Sequence, residues 1–295
     1  MSIVGKENKT MNQLLMEGEW NIYYVSALYK FQQDREALTT DAMDLVVFLR
    51  TADDRDLKPH QGVSVSVRSN DDMAVFSIQE QVAGTGGASG QLVGAFVYYT
   101  PQGHEGVPSL CAPQLLLLQG NESLVKKVCG WVQHRYQCVV ALQSLRIRSI
   151  CMEQFAQSLF LHIATESGDG HSNAVHAPLK LTLRREGDVK VVRSITISIP
   201  FHDILAKHEL ERERRDTLVE QDHMIRSLCL PYFSQLSEDL ESYCLAAVSS
   251  DDCELDNRGI FRILRTDRVS ELLSDLVDIF TAQDITIPET PETTL

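Results

Sequence analysis

Two short runs of strict alternation limit what this chain can fold into. Val63-Ser-Val-Ser-Val67 and Met73 to Ile78 place apolar side chains at every second residue, and Asn70-Asp71-Asp72 between them supplies turn chemistry. A strand with one apolar face has to bury it, so the pair reads as a half-buried β-hairpin. Leu92 to Tyr99, rich in aromatic and β-branched residues, extends the hairpin into a meander beyond a flexible tip at Gly84-Thr-Gly-Gly-Ala-Ser-Gly90.

The flanking segments add helices and further strands. Glu19 to Leu28, with Trp20, Ile22, Tyr23, Tyr24 and Val25, reads as a strand leading into a helix from Asp34 to Ala52. In that helix Leu38, Ala42, Leu45, Val46 and Leu49 recur at three- and four-residue spacing behind an Asp34 N-cap. After a Gly/Pro loop from Pro101 to Pro113, the apolar run Leu115 to Leu118 precedes a helix capped by Asn121, with Leu124, Val128, Trp131 and Val132 on one stripe. Cys138 to Arg148 reads as a strand, and Met152 to Ile163 as a helix with Phe155, Leu159 and Ile163 on one face. The stretch Glu166 to His176 has no periodicity and reads as a loop.

A second block follows. Leu179 to Leu183 and Val191 to Ile199 alternate as strands about a turn at Glu186-Gly187-Asp188, and Phe201 to Leu210 is helical. Leu218 to Leu236 continues as a helix that Pro231 kinks or ends. Tyr243 to Val248 and Gly259 to Leu264 read as two strands around an acidic loop, Ser249 to Asn257. The clearest helix is Asp267 to Thr281, with Val269, Leu272, Leu273, Leu276, Val277 and Phe280 on one face. The expected organisation is a short N-terminal segment (1–18), an α+β block (19–165), a flexible loop (166–177), a second α+β block (178–282) and a disordered tail (283–295). No period repeats, so the fold class is α+β, with mostly antiparallel sheets flanked by helices.

Composition excludes several function classes. With 295 residues and 43% apolar content the chain can bury a substantial core. No apolar run approaches the roughly 18 to 20 residues that span a bilayer, and Met1 to Thr10 is polar, so no membrane partner is expected and the chain is placed inside the cell. Seven cysteines without a close pair predict no disulfide framework. A net charge of -14 opposes a free-standing nucleic-acid binder, although a local basic strip remains open.

Catalytic and metal-binding patterns are weak. Gly84 to Gly90 lacks the Lys-Ser/Thr of a phosphate loop and joins two strands rather than opening a helix. Asp169, His171 and His176 sit in a loop without a rigid element to fix metal geometry, and His202 and His208 fall on opposed faces of a helix. Cys138 near His134 lies in an apolar run, where a thiol is inert. The pairs Asp53-Asp54, Asp71-Asp72 and Asp251-Asp252 read as turn residues. No enzyme activity, metal, cofactor or small-molecule ligand is expected.

Three stretches, in order along the chain, carry a resemblance. Glu19-Trp-Asn-Ile-Tyr-Tyr-Val-Ser-Ala-Leu-Tyr-Lys-Phe31 joins a Trp-led strand to Leu-Tyr-Lys-Phe before a helix. Leu110 to Leu118 and then Asn121 to Cys138, with Trp131, give a Cys-Ala-Pro segment, a helix with a Trp and a following strand. Ile260-Phe-Arg-Ile-Leu264 and the helix through Leu272, Leu273, Val277, Ile279 and Phe280 close the chain. Together they resemble the centromere protein L family of the inner kinetochore. That family's Ser/Pro-rich N-terminal extension is expected to be absent or very short here.

The resemblance implies a non-enzymatic nuclear protein of the centromere and kinetochore. It implies pairing with a centromere protein N counterpart, contact with other inner-kinetochore subunits, and support for binding centromeric nucleosomes and DNA. A generic intracellular adaptor is the alternative, and a small-molecule hydrolase with an unrecognised site a lesser one. The strands at Tyr243 to Val248 and Gly259 to Leu264 come last and have no later strand to cover them, so Tyr243, Leu245, Ala247 and Ile260 are candidate partner contacts. Arg258, Arg262, Arg265 and Arg268 gather four cations in eleven residues and are candidate DNA contacts, with Arg148, Lys126 and Lys127 as weaker ones. Asp251, Asp252, Glu254 and Asp267 nearby offer these arginines ion pairs instead.

Overall fold

The computed structural model describes residues 10–51, 62–81, 90–99, 114–141, 143–166, 177–185, 194–214, 224–236 and 239–282. The glycine tip as far as residue 89, the loop at 166–176 beyond its first residue, the turn at 186–188 and the tail lie outside them. The chain divides into two compact units, Met1–Leu145 with Gly259–Arg262, and Arg146–Arg258 with Ile263–Leu295. The division falls before the helix expected at Met152 to Ile163 rather than in the 166–177 loop, and the last strand returns to the first unit. Both units are antiparallel sheet with helices, which is the expected fold class.

In the first unit the strand order is β2 (Val63–Ser69), β3 (Met73–Gln81), β4 (Gly90–Tyr99), β5 (Leu115–Gly120), β1 (Trp20–Tyr24) and β10 (Ile260–Ile263). The hairpin forms as its alternation requires: Val67 pairs with Phe76 and Val65 with Ile78, and the Asn70 side chain accepts from the Asp72 and Met73 N–H groups. Two helices, α2 (Arg35–Thr51) and α3 (Glu122–Tyr136), pack against this sheet. Asp34 caps α2 by accepting from the Glu36 and Ala37 N–H groups, and Asn121 caps α3 by accepting from Leu124 at 2.8 Å. Leu38, Ala42, Leu45 and Leu49 from α2 meet Val125, Val128, Trp131 and Val132 from α3 over Phe76, Phe96, Leu116 and Leu118.

The two tryptophans anchor this unit. Trp20 is buried and donates its indole N–H to the Leu15 carbonyl at 2.7 Å, tying β1 to a short N-terminal helix, α1 (Met11–Leu15), that the sequence did not announce. Trp131 packs beside the stacked rings of Phe76 and Phe96 and donates to Asp44 at 3.0 Å.

One expected strand is corrected. Among its described residues, Cys138 to Arg148 forms no strand. It makes a single bridge, Val25 to Val140, and separate bonds from Ala141 to Tyr24 and from Leu145 to Ile22. β10 pairs with β1 at Trp20 and Asn21, and this segment follows β1 only at separate points beyond them, from Ile22 to Ser26.

In the second unit the order is β9 (Cys253–Asp256), β8 (Tyr243–Ser249), β6 (Leu179–Arg185) and β7 (Ser194–Ile199). The helices are α4 (Ser149–Glu166), α5 (Phe201–Arg214), α6 (Met224–Phe233) and α7 (Val269–Ala282). The acidic loop expected at Ser249 to Asn257 contains β9, whose Cys253 and Leu255 are buried while Glu254 and Asp256 point to the other face. α4 lies against β8 and touches α5, α6 and α7, with Met152, Phe155, Ala156, Leu159 and Phe160 fully buried. Leu272, Leu273 and Leu276 of α7 are likewise buried. β8 bulges at Ala246, and the groups freed there are satisfied: Leu245 N–H donates to Ser149 Oγ at 3.0 Å, and the Ala246 carbonyl accepts from Asn257 at 2.8 Å.

Candidate functional site

Sheet edges are the chemistry this fold offers to a partner, because an unpaired strand carries a row of free N–H and C=O groups. The edge expected at Tyr243 to Val248 is not there. β8 is paired on both sides, with β6 through Leu181–Val248 and Arg184–Cys244 and with β9 through Val248–Leu255. Tyr243 and Leu245 are buried beneath α4 and α6, and Ala247 is half-buried in the ladder. Ile260 is half-buried opposite Asn21 of β1. The four candidate contacts are therefore interior positions, because chain order and sheet order differ: β8 comes late in the sequence but sits mid-sheet.

The open edge of the second unit is β7. It pairs with β6 from Leu179–Ile199 to Arg184–Ser194, and among the described residues no strand pairs with its other side. Its sequence is Ser-Ile-Thr-Ile-Ser-Ile, with Ile197 and Ile199 buried toward the helices and Ser194, Thr196 and Ser198 exposed. Natural edge strands carry lysines, prolines or bulges that stop other chains from adding to them, and β7 has none of these. The alternation was legible, but its position at an edge was not.

The arginine cluster resolves into ion pairs. Arg258 lies in the turn before β10 and pairs with Asp256 at 2.6 Å, and Arg262 reaches across to Glu19 at 2.6 Å. Arg265 bridges Asp252 at 3.1 Å and Asp267 at 2.6 Å, which holds the Asp267 carboxyl below its ordinary range. Arg268 is buried and pairs with Glu271. Arg258 and Arg262 do not share a strand face, since Gly259, at φ +77°, ends the turn between them. A carboxylate on each of the four leaves little net charge for phosphate. Lys126 pairs with Glu122 at 2.6 Å. Arg148 is exposed at the start of α4, without an acidic partner among the described residues.

Two cations that the sequence reading passed over are better placed. Lys180 and Arg184 project from the helix-free face of β6, are exposed, and meet no acidic partner among the described residues. Beside them on that face lie Thr182 and Thr196, whose hydroxyls are 3.2 Å apart, with Ser194 and Ser198. The signal was present in Leu-Lys-Leu-Thr-Leu-Arg: once the leucines are assigned to the core, the charges must face out.

The weaker chemical candidates stay apart. Cys138 is buried, donates to the Val132 carbonyl at 3.5 Å, and burial pushes its thiol up to about 11. His134 is exposed. His202 is exposed and pairs with its neighbour Asp203 at 3.1 Å, while His208 lies beside the Phe160 ring. Asp252 lies with Asp251 in the tight turn between β8 and β9, as expected, and is also a buried partner of Arg265. Asp169, His171 and His176 lie outside the described residues. Among those described, no three His, Cys, Asp or Glu side chains converge as metal ligands, and no helix is long and apolar enough to cross a membrane.

Ser158, His162 and Asp275 do meet. Asp275 of α7 accepts from Ser158 at 2.7 Å and lies 3.6 Å from His162 Nε2, so the carboxylate sits between serine and histidine. A nucleophile relay needs the imidazole in that middle place, and this order does not provide it. No protein-family model matches this chain, and no curated protein matches it.

Proposed function

We propose that the chain is a non-enzymatic subunit of the inner kinetochore that pairs with a centromere protein N counterpart and supports centromeric chromatin binding and kinetochore assembly. The three ordered stretches resembling centromere protein L supply the identity of the assembly. The observation that carries the pairing is the β7 edge: six residues without charge, proline or bulge, open along one side among the described residues. A partner strand added there would satisfy the free backbone groups and continue the sheet. The phosphate contacts of the assembled complex fall to Lys180, Arg184 and Arg148, three exposed cations without an ion-pair partner among the described residues.

The test is co-expression with the centromere protein N counterpart, comparing the native chain with Thr196→Lys plus Ser198→Lys. Both positions are exposed, so the variant keeps its fold by circular dichroism, while lysines guard the edge. Loss of the heterodimer with an unchanged fold is expected. A heterodimer that co-purifies as before would remove β7 from the interface.

A further inference from the structure

We propose that the outward face of α2 is a self-association site, on which a second copy of this chain lays its own α2 antiparallel about a two-fold axis at Met43. The proposal concerns the first unit alone and rests neither on the kinetochore reading nor on the β7 edge.

Helical spacing sets the face. Residues seven apart return to the same side with a drift of only about 20°, so Glu36, Met43 and Arg50 form one row, flanked by Thr39, Thr40, Val46 and Val47. Met43 is 66% and Val47 59% exposed, large values for apolar side chains on one surface. The hydroxyls of Thr39 and Thr40 already donate to the Arg35 and Glu36 carbonyls at 2.7 and 3.0 Å, so covering them leaves no donor unpaired. Beside the row a groove of about 560 Å³ between α2 and β2, lined by Val46, Val65 and Val67, leaves room for a facing side chain.

Charge identifies the occupant. Glu36 and Arg50 are exposed, stand seven residues either side of Met43, and have no ion-pair partner among the described residues. Arg50 donates to the Val63 carbonyl at 2.9 Å, which anchors the guanidinium and leaves its charge uncompensated. Arg35 and Asp44, the other exposed charges of α2, lie about 80° and 100° round the helix from Met43, on opposite shoulders of the row, and Asp44 accepts from Trp131. A partner of a single charge sign would be repelled at one end of the row. The two-fold answers both ends at once. It sets Glu36 of each copy opposite Arg50 of the other and Met43 opposite Met43, because residues 36 and 50 are equidistant from residue 43. A helix crossing of about 20° absorbs the drift along the row. One helix pair buries less than the roughly 1,200 Å² of a stable complex, so the association is weak and concentration-dependent.

The test is sedimentation velocity of the full chain from about 5 to 300 μM, a range set by that small area. The native chain is expected to pass from monomer to dimer across it, and Met43→Asp plus Val47→Asp to stay monomeric. Glu36→Arg and Arg50→Glu, each alone, set like charges opposite each other and should weaken the dimer by at least about ten-fold. Mixed in equal amounts, these two variants should associate again, because each supplies the sign that the other lacks. All these positions are exposed, so circular dichroism should be unchanged throughout. Thr196→Lys plus Ser198→Lys should dimerise as the native chain does. A native chain that stays monomeric would overturn the proposal. So would single variants that dimerise as before, a folded mixture that stays monomeric, or a dimer lost with the β7 substitutions.

Discussion

Buried carboxylates do the most local work in this protein. Asp41 on α2 accepts from Arg135 at 2.6 Å and from the Tyr136 hydroxyl at 2.6 Å, both on α3, and so fixes how the two helices meet. Burial and this hydrogen bond raise the Tyr136 hydroxyl pKa well above its ordinary value, so Tyr136 remains a donor. Asp275 is a different case. Burial raises its pKa more than Ser158, His162 and Arg268 lower it, and Asp278 adds repulsion. The folded chain therefore holds this proton to higher pH than the unfolded chain, where aspartate titrates near about 3.9. Between the two values the native state binds more protons, so this group's contribution to stability is full below the unfolded value and is lost as pH rises through the folded one. Asp275→Asn cannot ionise. Relative to the native chain, its thermal midpoint is expected to gain as pH rises from about 4 to about 6.5. A difference that stays constant or shrinks over that range would show that the ionised carboxylate is well accommodated.

At the scale of elements, the turn into β10 is the most constrained backbone. Gly259 has φ +77°, and a Cβ there would lie 2.4 Å from the Leu145 carbonyl oxygen, while its own carbonyl accepts from Ile22 at 2.9 Å. Gly259→Ala is expected to cost about 2 kcal/mol or more, from the left-handed backbone plus the displacement of Leu145. An urea midpoint within experimental error of the native chain would contradict this. Elements with long periodic faces were legible in the sequence: α2, α3 and α7 follow from Leu38 to Leu49, Val128 to Val132 and Leu272 to Val277. The missed pieces are short or decided elsewhere. α1 and β9 span five and four residues, too few for a period to register. The segment after Cys138 alternates well enough for a strand, but it meets β1 only through separate bonds from Ile22 to Ser26, while β10, from more than a hundred residues away, pairs at Trp20 and Asn21. Register and edge position are tertiary properties, which is why Tyr243 and Leu245 read as edge residues and lie inside. Within the arginine cluster, the pairs of Arg265 with Asp252 and Asp267 were legible as local options, whereas the pair of Arg262 with Glu19, far off in sequence, was not.

For the whole molecule, an acidic chain can contribute to a DNA-binding assembly only through cations that its own carboxylates leave free. Each phosphate contact sets about one unit of the salt slope. In the assembled complex, Lys180→Glu plus Arg184→Glu should lower that slope by about two units, whereas Arg262→Glu plus Arg265→Glu should change stability more than the slope. The opposite ranking would return the DNA contact to the closing arginines. The reading of the molecule as a partner-dependent centromere subunit stands on the resemblance and on the β7 edge together. It is tested most directly by imaging a tagged copy of the full chain through the cell cycle beside a marker of centromeric nucleosomes. Discrete foci coincident with that marker, lost in the Thr196→Lys plus Ser198→Lys variant, are the predicted result; a diffuse or non-chromosomal distribution of the native chain at every stage would contradict the account.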